Sequence, residues 1–143
     1  MLIAHVLREK GGAVHTLTAE ALLRHAAQEL NARKVGALVV LDLEGELVGV
    51  ISERDIVREV ARGGADAMEE KVSAAMTRKV ITAGMDETID ECLERMTDRR
   101  IRHLPVIDRG KLVGIISIGD LVKHRIAAVE AEAAAMQAYI TTH

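Results

Sequence analysis

The sequence predicts an α/β (α+β) chain made of two tandem β-α-β-β-α repeats and closed by one long helix. Three observations predict it. Residues 47–57 read LVGVISERDIV and residues 112–122 read LVGIISIGDLV, so Gly49, Ser52 and Asp55 return 65 positions later as Gly114, Ser117 and Asp120. A duplication of this size is one supersecondary unit used twice, and units that cannot bury their own apolar faces stack on each other. In both copies, short apolar runs alternate with stretches whose apolar residues recur at three- and four-residue spacing. The last helical pattern, IGDLVKHRIAAVEAEAAAMQAYI, is about twice as long as its counterpart in the first copy.

The elements follow in order. In the first copy Val14–Leu17 is a short β-rich run, and Glu20–Arg33 is a helix with Leu22, Leu23, Ala26 and Leu30 on one face. Ala37–Leu41 and Glu46–Ile51 are strands joined by Asp42-Leu43-Glu44-Gly45. Glu53–Arg62 is the closing helix, stopped by Gly63-Gly64. In the second copy Lys79–Thr82 is the short run, and Asp86 opens a helix carrying Ile89, Cys92, Leu93 and Met96. His103–Ile107 and Lys111–Ile116 are strands around Asp108-Arg109-Gly110, and the long helix begins at Ser117. The boundaries are 5–63 for the first repeat, 64–72 for a polar linker, 73–127 for the second repeat and 128–143 for the helical extension. Ile118, Val122, Ile126, Val129, Ala133, Met136 and Ile140 trace one stripe along that helix. Its distal half would face water in a monomer, which predicts a homodimer.

Composition narrows the function. At 143 residues and 49% hydrophobic, the chain has enough apolar material for a core. Aromatics make up 1%, with no Phe or Trp and one Tyr, so no base-stacking surface is available and the net charge of −3 supplies no basic field. Nucleic acid is not expected as a partner. No stretch reads as a membrane span, and the N-terminus MLIAHVLREKGG is too short and charged for a secretory signal. The single Cys92 permits no internal disulfide and fits a reducing, cytoplasmic setting. The six His residues lack metal-ligand spacing, and no nucleophile is paired with a base and an orienting group. Neither a metal nor catalysis is expected.

The chemistry concentrates in the repeated Ser-x-x-Asp. At a helix start this spacing is a capping box: the Ser side chain satisfies a backbone N–H, and the acid complements the helix dipole. A chain with these residues as caps alone would be a structural or interaction protein without a nucleotide. The same geometry suits a ligand, because a helix N-terminus favours phosphate and a carboxylate there accepts both hydroxyls of a ribose diol.

The ordered, duplicated series, with MTRKVITAGMDETIDECLERM, HLPVID and LVGIISIGDLV in the second copy, resembles a pair of CBS domains, the Bateman module, over about residues 5–127. The resemblance implies two copies packed through their sheets about a pseudo-twofold axis, with clefts between them for AMP, ADP, ATP, NAD(H) or S-adenosylmethionine. Such a stand-alone module is a sensor that acts on an effector protein in trans. Carried over by position, Asp120 and Asp55 hold ribose hydroxyls, Ser117 and Ser52 touch phosphate, and Thr82 and Thr16 sit beside adenine or sugar. Arg102 and His103 stand where the family places cationic phosphate contacts. The copies differ around these residues: the first has Gly36 and Ala37 in place of Arg102 and His103, and Arg54 where the second has Gly119. Two sites of unequal affinity are therefore expected.

Overall fold

Short runs rich in Val, Leu and Ile set the four longer strands, and the computed structural model, which describes residues 1–142, places six strands in two three-stranded sheets. In the first, β1 (Thr16–Thr18) lies parallel to β2 (Ala37–Leu41), which pairs antiparallel with β3 (Leu47–Ser52). In the second, β4 (Ala83–Gly84) lies parallel to β5 (His103–Asp108), which pairs antiparallel with β6 (Lys111–Ser117). The β5–β6 hairpin turns through Arg109 and Gly110, both at positive φ (52° and 77°), the backbone a tight two-residue hairpin needs. The β2–β3 turn is longer, and Asp42 holds it by accepting the N–H groups of Glu44 and Glu46 at 3.0 and 2.9 Å.

The helices are α1 (Ile3–Lys10), α2 (Leu23–Arg33), α3 (Glu53–Gly63), α4 (Val72–Ala75), α5 (Ile89–Arg99) and α6 (Ile118–Thr142), with a 3-10 turn at Gly64–Glu69. The order β-α-β-β-α recurs twice, as the sequence predicts. Gly64, at φ 71°, ends α3. Among the described residues, no helix is long and apolar enough to cross a membrane.

The chain forms two compact units, Ala13–Ile81, and Met1–Gly12 together with the chain from Thr82 onward. Each unit thus contains a helix that lies outside its own β-α-β-β-α repeat. In the first-repeat unit, α4 contributes Val72, Ala75 and Met76 to a core with Leu23, Ala26, Leu30, Leu38, Val40, Ile51 and Ile56. In the second-repeat unit, α1 contributes buried Ile3, Val6 and Leu7 beside buried Ile89, Cys92, Met96, Leu104, Val106, Ile116 and Leu121.

These added helices move the starts of two predicted helices. The Val72 N–H donates to the Ala21 carbonyl at 2.7 Å, and the Leu23 N–H to the Glu70 carbonyl at 2.9 Å. Residues 20–22 are thereby drawn into pairing with the chain around 70–72, and α2 starts at Leu23 instead of Glu20. The second unit does the same: the Ile3 N–H donates to the Glu87 carbonyl (2.9 Å) and the Ala4 N–H to the Met85 carbonyl (3.0 Å). Helix α5 accordingly starts at Ile89, capped by Thr88 Oγ1, which accepts the Glu91 N–H at 3.1 Å. The β-branched run Val80-Ile81-Thr82 lies just before the two residues that pair as β4, because the ladder to β5 begins at Ala83 opposite Val106.

The repeated glycine has its reason here. A Cβ on Gly49 would lie 2.6 Å from Met76 Sδ and 3.0 Å from the Thr77 carbonyl oxygen. A Cβ on Gly114 would fall inside the van der Waals shell of the Leu7 side chain. Each sheet lacks a side chain at the point where the added helix sets its own.

Candidate functional site

Each Ser-x-x-Asp sits where the third strand of a sheet runs into a helix. Ser117, the last residue of β6, lies opposite His103, the first of β5, and the Ile118 N–H donates to the Arg102 carbonyl at 2.8 Å. Ser52, the last of β3, lies opposite Ala37, and the Glu53 N–H donates to the Gly36 carbonyl at 3.1 Å. The hairpin register therefore brings Arg102, His103, Ser117, Gly119 and Asp120 to one end of the second sheet. Thr82 precedes Ala83 in the strand on the other side of β5, and its carbonyl accepts from Arg95 at 2.9 Å. In the first unit the same construction gathers Ser52, Arg54 and Asp55, with Arg54 exposed in the first turn of α3 and Thr16 exposed at the start of β1.

Both motifs are closed capping boxes. The Asp120 N–H donates to Ser117 Oγ at 3.1 Å, and the Ser117 N–H donates back to Asp120 Oδ2 at 2.8 Å. The Asp55 N–H donates to Ser52 Oγ (3.3 Å), and Ser52 returns both its N–H (2.9 Å) and its hydroxyl (3.0 Å) to Asp55 Oδ2. Two orphan donors at each helix start are satisfied reciprocally.

The surroundings of the two carboxylates then diverge. Asp55 is 5% exposed, and its Oδ1 accepts from Arg58, one turn along the same helix, at 2.6 Å. The side chain of Asp120 is 26% exposed, and its ionic partner comes from a remote element: Lys10 Nζ, at the end of α1, stands 2.5 Å from Oδ2 and 2.8 Å from the Ile115 carbonyl. Asp120 Oδ1 takes part in no hydrogen bond among the described residues. Burial pushes the Asp120 carboxyl up, but the Lys10 ammonium and the Ser117 donors outweigh it and hold the group below its ordinary value of 3.8. Beside it, buried His124 bonds the Asp120 carbonyl through Nδ1 (2.9 Å) and the Glu9 carboxylate through Nε2 (2.8 Å).

Sequence reasoning missed Lys10, Glu9, Arg58 and His124. The signal for the first two was present: Ile3, Val6, Leu7 and Lys10 fall on one helical face. Nothing in the sequence told that face which repeat it would cover.

Comparison with known proteins agrees with the duplicated architecture. The CBS domain family profile matches residues 12–62 and again 72–127. The chain is 34% identical, over 147 aligned positions, to the mitochondrial CBS domain-containing protein CBSX3 of Arabidopsis thaliana, covering 96% of this chain and 71% of that one. An uncharacterized 17.7 kDa protein of Acidianus ambivalens is 36% identical over 111 residues, which span 77% of this chain and 66% of that one. The crystal structure of the CBS-domain containing protein ATU1752 from Agrobacterium tumefaciens superimposes with a TM-score of 0.85 at 43% identity, over 87% of this chain and 92% of that one. The CBS domain pair of protein MJ0100, solved in complex with 5′-methylthioadenosine and S-adenosyl-L-methionine, gives a TM-score of 0.79 at 27% identity, over 90% and 98% of the two chains.

Proposed function

Because the chain belongs to the CBS-domain family, we propose that it is a regulatory sensor that binds adenosine-containing ligands, AMP, ADP, ATP or NAD(H), at its two Ser-x-x-Asp helix starts. It signals in trans, as a homodimer in a reducing cytoplasm, and performs no catalysis of its own. The observation that carries the reading is the state of Asp120: ionised, one quarter exposed, and with Oδ1 in no hydrogen bond among the described residues. A vicinal diol offers two O–H donors at the spacing of one carboxylate, and the helix start offers a favourable field for phosphate. The relative MJ0100, with its bound 5′-methylthioadenosine and S-adenosyl-L-methionine, supports the adenosine half of the ligand. For this binding to be regulatory, the ligand must favour one of two arrangements of the module.

The dimer rests on α6. This helix has 25 residues, about 38 Å of length, against 11 residues in α3. Ile126, Val129, Met136 and Ile140 along it are 53, 52, 61 and 65% exposed in a single chain. Sedimentation of the wild type as a dimer, and of Val129→Glu as a monomer, is the expected result; a monomeric wild type contradicts it.

Titration calorimetry with AMP, ATP and NADH tests the ligand reading. At least one binds the wild type, and Asp120→Ala loses the tighter site. No heat from any of the three at millimolar concentration leaves the Ser and Asp as caps alone, in which case Asp120→Ala costs on the order of 1 kcal/mol of stability and nothing else.

A further inference from the structure

Resting on the reading of Asp120 as the diol acceptor, we propose that Lys10 sets the charge class of the ligand, favouring phosphate-bearing adenosine derivatives over neutral or cationic ones. Asp120 Oδ2 already accepts two donors, the Ser117 N–H and the Lys10 ammonium. A diol needs both carboxylate oxygens, so one of its hydroxyls meets an Oδ2 whose acceptor capacity is full. The Ser117 N–H is fixed by the capping box. The ammonium is the donor that moves: its side chain is 31% exposed, and its other bond among the described residues is to the Ile115 carbonyl.

The backbone behind it stays in place. Ile3, Val6 and Leu7 anchor α1 in the core, and Glu9 is held by His124. Lys10 therefore swings on a fixed post, within one side-chain length of Asp120. Once the diol takes Oδ2, the ammonium loses its contact with that oxygen while its side chain stays partly buried. A ligand phosphate supplies a new counter-ion. A neutral ligand leaves the ammonium uncompensated, and a sulfonium adds a second positive charge to it. The first repeat has no equivalent device, because Asp55 is paired by Arg58 of its own helix.

The test is calorimetry of AMP, 5′-methylthioadenosine and S-adenosylmethionine against the wild type, Lys10→Met and Lys10→Arg, with Asp120→Ala as reference. The wild type is expected to prefer AMP. Lys10→Met lowers AMP affinity about tenfold, in line with the loss of one charge-assisted contact, and tightens the other two severalfold by freeing Oδ2. Lys10→Arg keeps the wild-type order, which a purely structural role for Lys10 does not require. An unchanged ratio of affinities in Lys10→Met overturns the inference while leaving Asp120 as the binding residue. Absence of binding in the wild type, or binding insensitive to Asp120→Ala, overturns both together.

Discussion

Asp55 and Asp120 hold the same place in two copies of one motif, yet one is shut in by its own helix and the other is tied to a helix from the far end of the chain. In the first-repeat unit both oxygens of Asp55 are bonded within residues 52–58. In the second, Asp120 has one oxygen unbonded among the described residues and shares the other with Lys10. The duplicated letters specify a backbone event, a strand passing into a capped helix. The charged partner at that event differs between the copies: Arg58 of the same helix for Asp55, and Lys10 of α1 for Asp120. A repeat thus fixes where a site can be, and its neighbours decide what the site is.

The largest effect expected concerns the helices that enclose each sheet. Ile3 and Val72 are both fully buried. Truncating Ile3 to Ala should cost about 2–5 kcal/mol, and Val72 to Ala somewhat less, by lost transfer energy plus cavity. Urea unfolding measures this. A cost below about 0.5 kcal/mol for Ile3→Ala would mean that α1 is an appendage and that the two units are built differently.

The glycines come next. Gly114→Ala and Gly49→Ala should each destabilise by about 1–3 kcal/mol through overpacking. Gly114→Ala should be the worse, because both methyls of the branched Leu7 side chain crowd that position whereas the Met76 thioether can bend away. Combined with Leu7→Ala, the Gly114→Ala penalty should largely vanish in a double-mutant cycle. Additive costs would show that Leu7 does not sit on that glycine.

A third difference is electrostatic. Arg95 bonds Glu87 through two contacts, one of them 3.0 Å. The Arg95 hydrogen bond, partly opposed by burial, holds the Glu87 carboxyl below its ordinary 4.5. A carboxyl lowered in the folded state stabilises it above the unfolded value, and this stabilisation is lost as pH falls through the folded value. Glu87→Gln should therefore cost about 1 kcal/mol at pH 7, with the difference from wild type shrinking below about pH 4.5. The matching pair of positions in the first unit, Ala21 and Glu29, cannot form such a bridge, and Glu29 has an exposed pair with Arg33, so Glu29→Gln should cost little. The smallest effect is chemical. Burial pushes the Cys92 thiol up to about 11, so the native protein should resist alkylation at pH 8 and react only once unfolded.

Much of this was legible in the sequence. Period and turn chemistry located the hairpins within a residue, since ALVVL, HLPVI and Arg109-Gly110 admit few other backbones. The capping boxes were legible because Ser-x-x-Asp is a local device. What was not legible is long-range. The starts of α2 and α5 are set by hydrogen bonds to residues 70–72 and 3–4, which no local propensity encodes. Lys10 reads as one more charge near the N-terminus until folding places it against a residue 110 positions away.

Titration of AMP into the wild type, Asp55→Ala and Asp120→Ala tests the two unequal adenosine sites most directly. Two sites of different affinity in the wild type, with the tighter one removed by Asp120→Ala and the weaker one by Asp55→Ala, is the predicted result. AMP binding unchanged in both variants would contradict it.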